Sequence, residues 1–583
     1  MTAAEIPAAE LPAGSPPPRF GKLDGRAAPI VLIAGLAVAL VVFALLPTGR
    51  LLLAALTRQG ALAPDAVWQE LVSTAALRAL GHSLETGVVS AAIALAIGLV
   101  SALAVTLTDI RGRRTFAFLF VLSMMMAPQV VALAFIDATG AASPLLNTLG
   151  LAPPPGTPNP LRSAGGIVFV LALHHAPLAF VLLRAGLRQI PRELAEAAEA
   201  DGASRWQVVR LVILPLLRGH LIAAGLLCFV AAIGNFGIPA LLGLPVNYLT
   251  LTTLIYRRLS SFGPSVIADA ASLALYLMLL TGGGVIAARR LLPGDEQRLE
   301  HGRGLDGLWS AGRAALPIGA ALAGLIGIAL VVPLASLLAA SLVPTYGVAL
   351  SLATVTLDNF AEVLLRQDAA ARAFVNSFLF SVAAAVGGAV MAVPIAYATL
   401  RHLPRQRPLI EGLFEIPYAL PGVVLAVAAI LLFLKPLPLV GISLYGTAAI
   451  IVFAYLARFL PLAIKPVAAS LAQLDPSVEE AASLCGAGTL ARIRYIIAPA
   501  VAPAMTAGAL LVFLIAFNEL TVSALLWSRG TETLGVVLFG LEEAGLASAA
   551  SALAIAATAV VAVVMLLLDR LGRRLPEGAL PWR

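Results

Sequence analysis

The chain has 583 residues, of which 60% are hydrophobic and 12% are charged, and its formal net charge is +7. Soluble proteins carry roughly twice that charged fraction, so the composition excludes an ordinary soluble globular protein. Lipid is therefore the expected solvent for most of the chain. Residues 1–26 are rich in Ala, Pro and Glu, which predicts a solvated, disordered cytoplasmic tail.

An apolar run of about 18 residues or more can cross a bilayer as a helix. Twelve such runs occur in chain order, at 29–46, 83–107, 115–137, 165–187, 219–243, 265–288, 315–341, 377–399, 409–434, 444–467, 500–527 and 547–568. They predict an all-α integral membrane protein with about twelve transmembrane helices. The first run is longer than the roughly 7–15 apolar residues of a secretory signal, so we expect it to be a retained span.

The basic residues are distributed unevenly over the predicted loops. If the N-terminus is cytoplasmic, the inside segments collect 25 of the 38 Lys and Arg residues and the outside segments collect 10. This asymmetry follows the positive-inside rule and predicts that both termini are cytoplasmic. The rule also accounts for the positive net charge, so no nucleic-acid partner is expected.

The sequence repeats itself over two halves. The aligned pairs are Pro177 with Pro461 and Gly202 with Gly486 at an offset of 284 residues, and Ser83 with Ser377 and Pro128 with Pro421 at an offset about ten residues longer. With six spans in each half, both copies enter the membrane in the same direction, which makes the repeat parallel. The predicted organisation is a first half at 27–288, a charged cytoplasmic linker at 289–313, a second half at 314–572 and a cytoplasmic tail at 573–583.

Each half carries one polar stretch between its fourth and fifth predicted spans. The first copy reads EAAEADGASRWQVVRLVILP at 196–215, and the second reads EAASLCGAGTLARIRYIIAP at 480–499. The residues before each glycine favour a short helix, and glycine permits the left-handed turn that commonly ends one. A second short helix is expected to follow, over 203–211 in one copy and 487–497 in the other. Each stretch therefore predicts a helix–glycine–helix elbow outside the membrane.

The two stretches resemble the EAA loop found in permeases of binding-protein-dependent ABC importers, although Ala498 stands where that family usually has leucine. The resemblance covers the chain from about residue 80 to 570 and implies the ABC importer permease fold. It places the two EAA loops at 193–215 and 477–499. In that family the loop sits in a cleft on a cytoplasmic ATPase. The implied ATPase-coupling residues are Glu196, Ala197, Ala198, Gly202, Pro215, Glu480, Ala481, Ala482, Gly486 and Pro499.

The same resemblance implies partners and a location. The expected partners are two copies of a cytoplasmic ABC ATPase subunit and an extracytoplasmic substrate-binding protein, and the expected location is the bacterial inner membrane. The sequence contains no G-x-x-x-x-G-K-[ST] phosphate loop, so ATP hydrolysis is expected in a separate subunit. The chain itself is predicted not to be an enzyme and to bind no cofactor.

The stretches at 236–258 and 517–539 resemble the fused, double-length permeases of ferric-iron importers. The thiamine, aminoethylphosphonate, polyamine and sulfate permeases are relatives, and those substrates remain alternatives. Fusion of both halves in one chain favours the iron and thiamine types. Ferric iron is the expected substrate, and this expectation rests on the resemblance alone, since the sequence shows no evident iron ligand.

Several polar residues fall inside predicted spans, where such groups usually face a bundle interior or a wet cavity. The candidates for lining a translocation path are His174, Asn235, Arg458, Asn518 and Glu519. His174 and Arg458 occupy equivalent positions in the repeat. Interior hydrogen bonding is the alternative role for both, and Glu519 has a second interpretation as a structural partner of Arg458.

No metal site is predicted. His174 and His175 are adjacent, and neighbouring residues on a helix point about 100° apart, so they do not readily share one ion. Glu479 and Glu480 are interpreted as one face of a helix rather than as an acid–base pair.

Two other classes of protein remain as alternatives. A proton- or sodium-driven carrier can also have twelve spans in two parallel halves, but it needs no pair of docking loops. A membrane-embedded enzyme needs a metal cluster or a nucleophile motif, and the sequence shows neither. Neighbouring genes for an ATPase and a secreted binding protein would favour the importer.

Overall fold

The structure is a computed structural model that describes residues 27–58, 61–261, 265–291, 304–436, 441 and 443–571. The predicted tails at 1–26 and 573–583 lie outside the described residues, as does the middle of the predicted linker. Nearly all of the described chain is helical, and one two-residue ladder pairs Thr57–Arg58 with Ala61–Leu62.

The membrane-spanning helices are numbered here as spans 1 to 12. Spans 1 to 6 are Ala27–Leu56, Thr74–Leu107, Arg113–Met124 continued by Pro128–Thr139, Ala164–Gln189, Arg205–Gly234 and Val266–Leu291. Spans 7 to 12 are Gly312–Ser341, Asp368–His402, Arg407–Ala419 continued by Gly422–Phe433, Ala448–Gln473, Thr489–Phe517 and Ala547–Leu571. Shorter helices outside the spans include Pro64–Leu71, Pro144–Leu149, Arg192–Ala200, Asp358–Ala361 and Pro476–Leu484.

The predicted all-α architecture of about twelve spans is confirmed. Within the described residues, eleven helices are long and apolar enough to cross a membrane. The two parts of span 9 add one more crossing when they are counted together, although the helix bends by 99° between them.

The predicted fifth and eleventh spans, at 219–243 and 500–527, extend too far at their C-terminal ends. The helices stop at Gly234 and Phe517, and each is followed by a pair of short helices that does not continue the span. In the first half this pair is Gly237–Val246 and Leu251–Leu259, bent by 75°. In the second half it is Ser523–Leu526 and Leu534–Glu543. Hydropathy cannot detect these breaks, because the residues on both sides of each break are apolar.

Equivalent hydrogen bonds confirm the parallel repeat. Ser83 Oγ on span 2 accepts the Leu251 N–H at 2.8 Å, and Ser377 Oγ on span 8 accepts the Leu534 N–H at 2.9 Å. Both bonds tie the second span of a half to the start of the last short helix before its sixth span. The serines are the pair that the sequence alignment matched.

Prolines near the start of spans 5 and 11 are accommodated by wide turns. Proline lacks an N–H and its ring clashes with the carbonyl four residues back, which an ordinary α-helix cannot absorb. A π-helical turn, Val209–Ile213 or Ile493–Ile497, ends two residues before Pro215 or Pro499. A helix does follow each glycine as expected, but it is not a separate short helix, because it forms the first turns of span 5 or span 11.

The two halves interlock through their first spans. Span 1 lies against the second half, where Phe43 stacks on Phe453 with ring centroids 5.4 Å apart. Nearer the C-terminal end of span 1, the Arg50 guanidinium donates to the Leu431 carbonyl of span 9 at 3.2 Å. Span 7 packs in turn against span 3 of the first half. Each half therefore contributes a helix to the outside of the other.

Candidate coupling elbows and central polar cluster

The first elbow, residues 192–204, is a helix closed by a glycine turn. The Ala203 N–H donates to the Ala198 carbonyl at 3.0 Å and the Gly202 N–H donates to the Glu199 carbonyl at 3.0 Å, with Gly202 at φ +90°. These two bonds form a Schellman motif, which satisfies carbonyls that the helix end would otherwise leave unpaired. Ser204 then caps span 5 in a capping box with Gln207.

The second elbow, residues 476–488, repeats this geometry. The Ala487 N–H donates to the Ala482 carbonyl at 2.9 Å and the Gly486 N–H donates to the Ser483 carbonyl at 3.0 Å, with Gly486 at φ +83°. The helix begins at Asp475, whose carboxylate accepts the Ser477 N–H at 2.9 Å. That bond holds the pKa of Asp475 below its ordinary value. The two elbows therefore have the same backbone, although most of their side chains differ.

Most of the sequence-predicted coupling residues lie at the surface of the elbows. Glu196, Ala197, Gly202, Glu480, Ala481 and Gly486 are exposed, whereas Ala198 and Ala482 are half-buried. Pro215 and Pro499 are also exposed, but they belong to spans 5 and 11 rather than to the elbows. Two large apolar side chains close to these residues in the chain are also exposed. Trp206 has 67% of its area exposed, and Leu484 has 90%. Exposed apolar groups of this size are typical of protein-interaction surfaces.

The second elbow is anchored by a buried carboxylate. Glu479 accepts a hydrogen bond from the Tyr397 hydroxyl at 2.9 Å and one from Arg401 Nε at 2.8 Å, both from the end of span 8. The sequence interpretation put Glu479 and Glu480 on a helix, and both lie on the helix Pro476–Leu484, where the Glu479 side chain is buried in this contact. Only Glu480 of the adjacent pair faces outward.

The first elbow is anchored by the end of the linker, residues 304–311, which we call the strap. Trp309 Nε1 donates to Glu199 Oε1 at 2.6 Å, and the Arg205 guanidinium lies 5.7 Å from the Trp309 ring centroid. On its other side, the strap pairs with the loop after span 2, where the Trp309 N–H donates to the Leu107 carbonyl at 2.8 Å and the Ala311 N–H donates to Asp109 Oδ1 at 2.7 Å.

A central polar cluster lies between the break within span 9 and the break after span 11. It consists of Arg458 on span 10 and Glu519 and Thr521 after span 11. Arg458 Nη1 donates to Glu519 Oε1 at 3.0 Å and to the Thr521 hydroxyl at 2.8 Å, and Thr521 also bonds to the Glu519 carboxylate. Gly422, at the break in span 9, fits against this cluster, since a Cβ there would clash with Arg458 Nη1. Thr521 and Gly422 were not among the sequence-predicted residues.

Asn518 connects the two halves beside this cluster. Its Nδ2 donates to the backbone carbonyl of Met125 in span 3 at 2.9 Å. The backbone carbonyl of Asn518 accepts a hydrogen bond from Gln129 Nε2 at 3.4 Å. Asn235 occupies the equivalent position in the first half, where its side-chain oxygen accepts the Ile238 N–H at 3.0 Å. Asn235, Asn518 and Glu519 therefore lie at helix breaks and not inside continuous spans, because the helices end before them.

His174 is the candidate that the structure does not bring into the central cluster. It is buried in span 4, and its ring lies edge-on to His175 with centroids 5.1 Å apart. Within the described part of the chain, Nδ1 of each histidine has no hydrogen-bond partner. The first half therefore has a buried histidine at the repeat position that Arg458 occupies in the second half.

Two six-span repeats, each with a glycine-capped elbow and a broken span at the shared interface, define a membrane permease. The chain belongs to the family described as the binding-protein-dependent transport system inner membrane component, which matches residues 94–292 and 384–578. The family is a membrane component of ABC importers rather than an enzyme. One matched range begins within span 2 and the other within span 8.

Individual relatives agree with this family. A probable ABC transporter permease from Sinorhizobium fredii is 30% identical over 403 residues, which cover 64% of this chain and 66% of the relative. A putative ferric transport system permease from Haemophilus influenzae is 25% identical over 498 residues, covering 81% of this chain and 73% of the relative. A solved bacterial ABC transporter for alginate import is 18% identical with a TM-score of 0.37, covering 46% of this chain and 98% of that chain. The chain thus spans just under two thirds of the first relative's length.

Proposed function

We propose that this chain is the complete membrane pathway of an ATP-driven importer for ferric iron. Its halves, 27–288 and 314–572, form the path between them, and both termini face the cytoplasm. An extracytoplasmic binding protein delivers the iron. Two copies of a separate cytoplasmic ATPase dock on the two elbows, with Glu196 to Gly202 in one cleft and Glu480 to Gly486 in the other.

The observation that carries the coupling role is the identical backbone of the two elbows. Each elbow helix ends in the same pair of Schellman bonds and is joined through four residues to a span of about thirty residues. Movement of a docked subunit would therefore be transmitted along spans 5 and 11, which end at Asn235 and Asn518 beside the central cluster. A chain with two such elbows supplies both docking surfaces for an ATPase pair.

Support for iron comes from the relatives. Three ferric transport permeases, two from Haemophilus influenzae and one from Actinobacillus pleuropneumoniae, are 25–26% identical over 381 to 498 residues. Relatives named for molybdenum and for xylose and arabinose are 31% and 30% identical, but over only 263 and 220 residues. The ferric permeases match longer stretches of this chain than either, so iron is the substrate that the similarity favours.

The stoichiometry tests the proposed assembly. Native mass spectrometry of the complex, purified with the ATPase from the neighbouring genes, should show one copy of this chain and two ATPase subunits. A stable, active complex with two copies of this chain per ATPase pair would refute the proposal. Replacing the second elbow with a Gly-Ser stretch should reduce the complex to one ATPase subunit or abolish it.

Uptake in proteoliposomes tests the substrate. With the binding protein outside the vesicles and ATP and the ATPase inside, ⁵⁵Fe(III) should accumulate, and omission of either partner should stop it. Accumulation of thiamine or sulfate in place of iron under the same conditions would reject iron and retain the importer.

A further inference from the structure

A cavity of about 150 Å³ lies between spans 8, 9 and 10, toward the end that carries the second elbow. Its polar lining is Thr399, Arg407, Glu411, Glu415 and Lys465, and the rest of the lining is apolar. Nothing in the proposed coupling role uses these residues. The ionisable side chains are between 38% and 62% exposed, so the cavity opens at the surface of the protein.

The cavity opens on the same side of span 10 as the central cluster. Lys465 follows Arg458 by seven residues, which is almost two full turns of an α-helix, so both side chains project from one face. The rise between them is about 10 Å. Lys465 and Ala469 are exposed on this face, while the opposite face of span 10 is buried against spans 8 and 11. The cavity therefore lies about 10 Å along this face of span 10 from the Arg458–Glu519 pair.

The first half has different side chains at two of the equivalent positions. At the 284-residue offset, Ala468 and Ile464 of the cavity wall correspond to Arg184 and Phe180 of span 4. Arg184 is buried, and its guanidinium lies 6.0 Å from the Phe180 ring centroid. Both of these side chains are larger than their counterparts in the second half.

The charges of the cavity are paired, and the basic partner is the more exposed member. Lys465 Nζ lies 2.8 Å from Glu415 Oε1, with 62% of the lysine side chain and 39% of the glutamate side chain exposed. Arg407 Nε lies 2.7 Å from Glu411 Oε1 on the same helix. The long, flexible lysine stem allows its ammonium group to leave the pair, whereas the carboxylate stays at the wall.

One buried hydroxyl in the cavity has no partner. Thr399 is 4% exposed, and among the described residues its Oγ1 makes no hydrogen bond. An unsatisfied hydroxyl in a buried position costs free energy, which is recovered when a ligand or water bonds to it. Together with Glu411 and Glu415 it makes an all-oxygen donor set, which suits a hard cation. The volume is below the roughly 300 Å³ of pockets for small organic ligands, so a partly hydrated ion fits better.

We propose that this cavity is a transient site for a hard, multivalent cation on its way to the cytoplasm, with Lys465 as the charge that the cation displaces from Glu415. This inference rests on the proposed function, because it names the exit site of the same path. Among the described residues no group of three or more His, Cys, Asp or Glu side chains is placed to hold a metal. Two carboxylates and a hydroxyl give weak binding, which passage requires, since an ion held tightly would not leave.

The test uses terbium(III), a hard trivalent cation, titrated by luminescence against the purified full chain in nanodiscs. Glu415→Gln should weaken terbium binding at least about tenfold, because a charged oxygen ligand is lost. Lys465→Met should strengthen it about tenfold, because the competing ammonium group is gone, and this gain cannot arise from misfolding. Glu362→Gln is the matched control, since Glu362 pairs with Arg366 at 3.8 Å on an exposed surface away from the spans.

Equal terbium affinity in the wild type, Glu415→Gln and Lys465→Met would overturn the cation site. So would a loss of affinity in Lys465→Met accompanied by sulfate binding in the wild type, which would mark an anion site. Iron uptake by the assembled transporter is scored separately. The expected terbium pattern without iron uptake would support the cation site and reject iron as the cargo, and iron uptake without the terbium pattern would reject the cation site alone.

Discussion

Arg458 on span 10 donates to Glu519 at 3.0 Å and so joins the span before the second elbow to the break after span 11. Both side chains are largely buried, with 17% and 9% of their areas exposed. The sequence left open whether Glu519 lines a path or acts as a structural partner of Arg458. The contact shows that the two residues pair, and its position between broken helices places the pair where the two halves meet.

Removing one member of this pair should destabilise the protein strongly. Glu519→Gln leaves the Arg458 guanidinium buried without a counter-charge, which typically costs about 3–5 kcal/mol. We expect a clearly lower unfolding midpoint in detergent, measured by circular dichroism. Glu362→Gln, in an exposed ion pair, is expected to change stability by no more than about 1 kcal/mol. Equal effects of the two substitutions would show that the buried pair contributes no more to stability than the exposed pair.

The glycine turns of the elbows should not tolerate branched side chains. A Cβ at Gly202 would meet no atom within 4 Å, so the cost of Gly202→Val comes only from its φ of +90°. That conformation costs an L-residue about 1–2 kcal/mol, and more when the side chain is branched. We expect normal membrane insertion with loss of ATP-driven uptake, and the same from Gly486→Val.

Gly219→Val is the control for this prediction. Gly219 also has open space around it, but it lies inside span 5 without a positive φ. Uptake should remain close to that of the wild type. Normal uptake in both elbow variants would contradict the coupling role of the elbows.

The strap should slow amide hydrogen exchange in the first elbow and not in the second. Trp309→Ala removes the hydrogen bond to Glu199 and the contact with Arg205, and a hydrogen bond to a charged group is worth about 1.5–3 kcal/mol. Amide hydrogen exchange in residues 192–200 should become at least about tenfold faster. Exchange in residues 476–484 should stay unchanged, because Glu479 anchors that helix. Trp68→Ala, at an exposed position before span 2, is the matched control, and faster exchange in both elbows would exclude a local anchor.

The strap also predicts a pH dependence. The Ala311 N–H that bonds to the Asp109 carboxylate lowers the pKa of Asp109 below its ordinary value. A carboxylate with a lowered folded-state pKa contributes stability above its unfolded pKa and loses it as the pH falls through the folded value. Strap protection should therefore stay constant from about pH 8 to pH 5 and fall in more acidic solution, below the usual carboxylate range. Asp109→Asn should abolish this acid transition, and a transition near neutral pH would point to a different group.

The two cysteines report the orientation without engineering. Cys485 is exposed in the second elbow, and Cys228 is buried in span 5. An impermeant maleimide should label inverted membrane vesicles once per chain and leave right-side-out vesicles unlabelled. Cys485→Ser should abolish the signal. Labelling of right-side-out vesicles would place the elbows outside and overturn the orientation drawn from the positive residues.

Hydropathy and repetition were sufficient to predict the class of fold. An apolar run of bilayer length satisfies its backbone hydrogen bonds in lipid by forming a helix. The number of spans therefore follows from the number of such runs. The elbow turns were equally predictable, because Gly202 and Gly486 stand where only glycine adopts a left-handed conformation at little cost. These features depend on residues that are close together in the chain.

The tertiary structure alone decided which distant residues meet. Glu479 is anchored by Arg401 and Tyr397 of span 8, and no short-range pattern marks that contact. The breaks at Asn235 and Asn518 are hidden from hydropathy because apolar segments continue beyond them, and only the packing of the other half shows where the helices end. The cavity beside Lys465 lies between spans 8, 9 and 10, so its volume depends on three spans packing together.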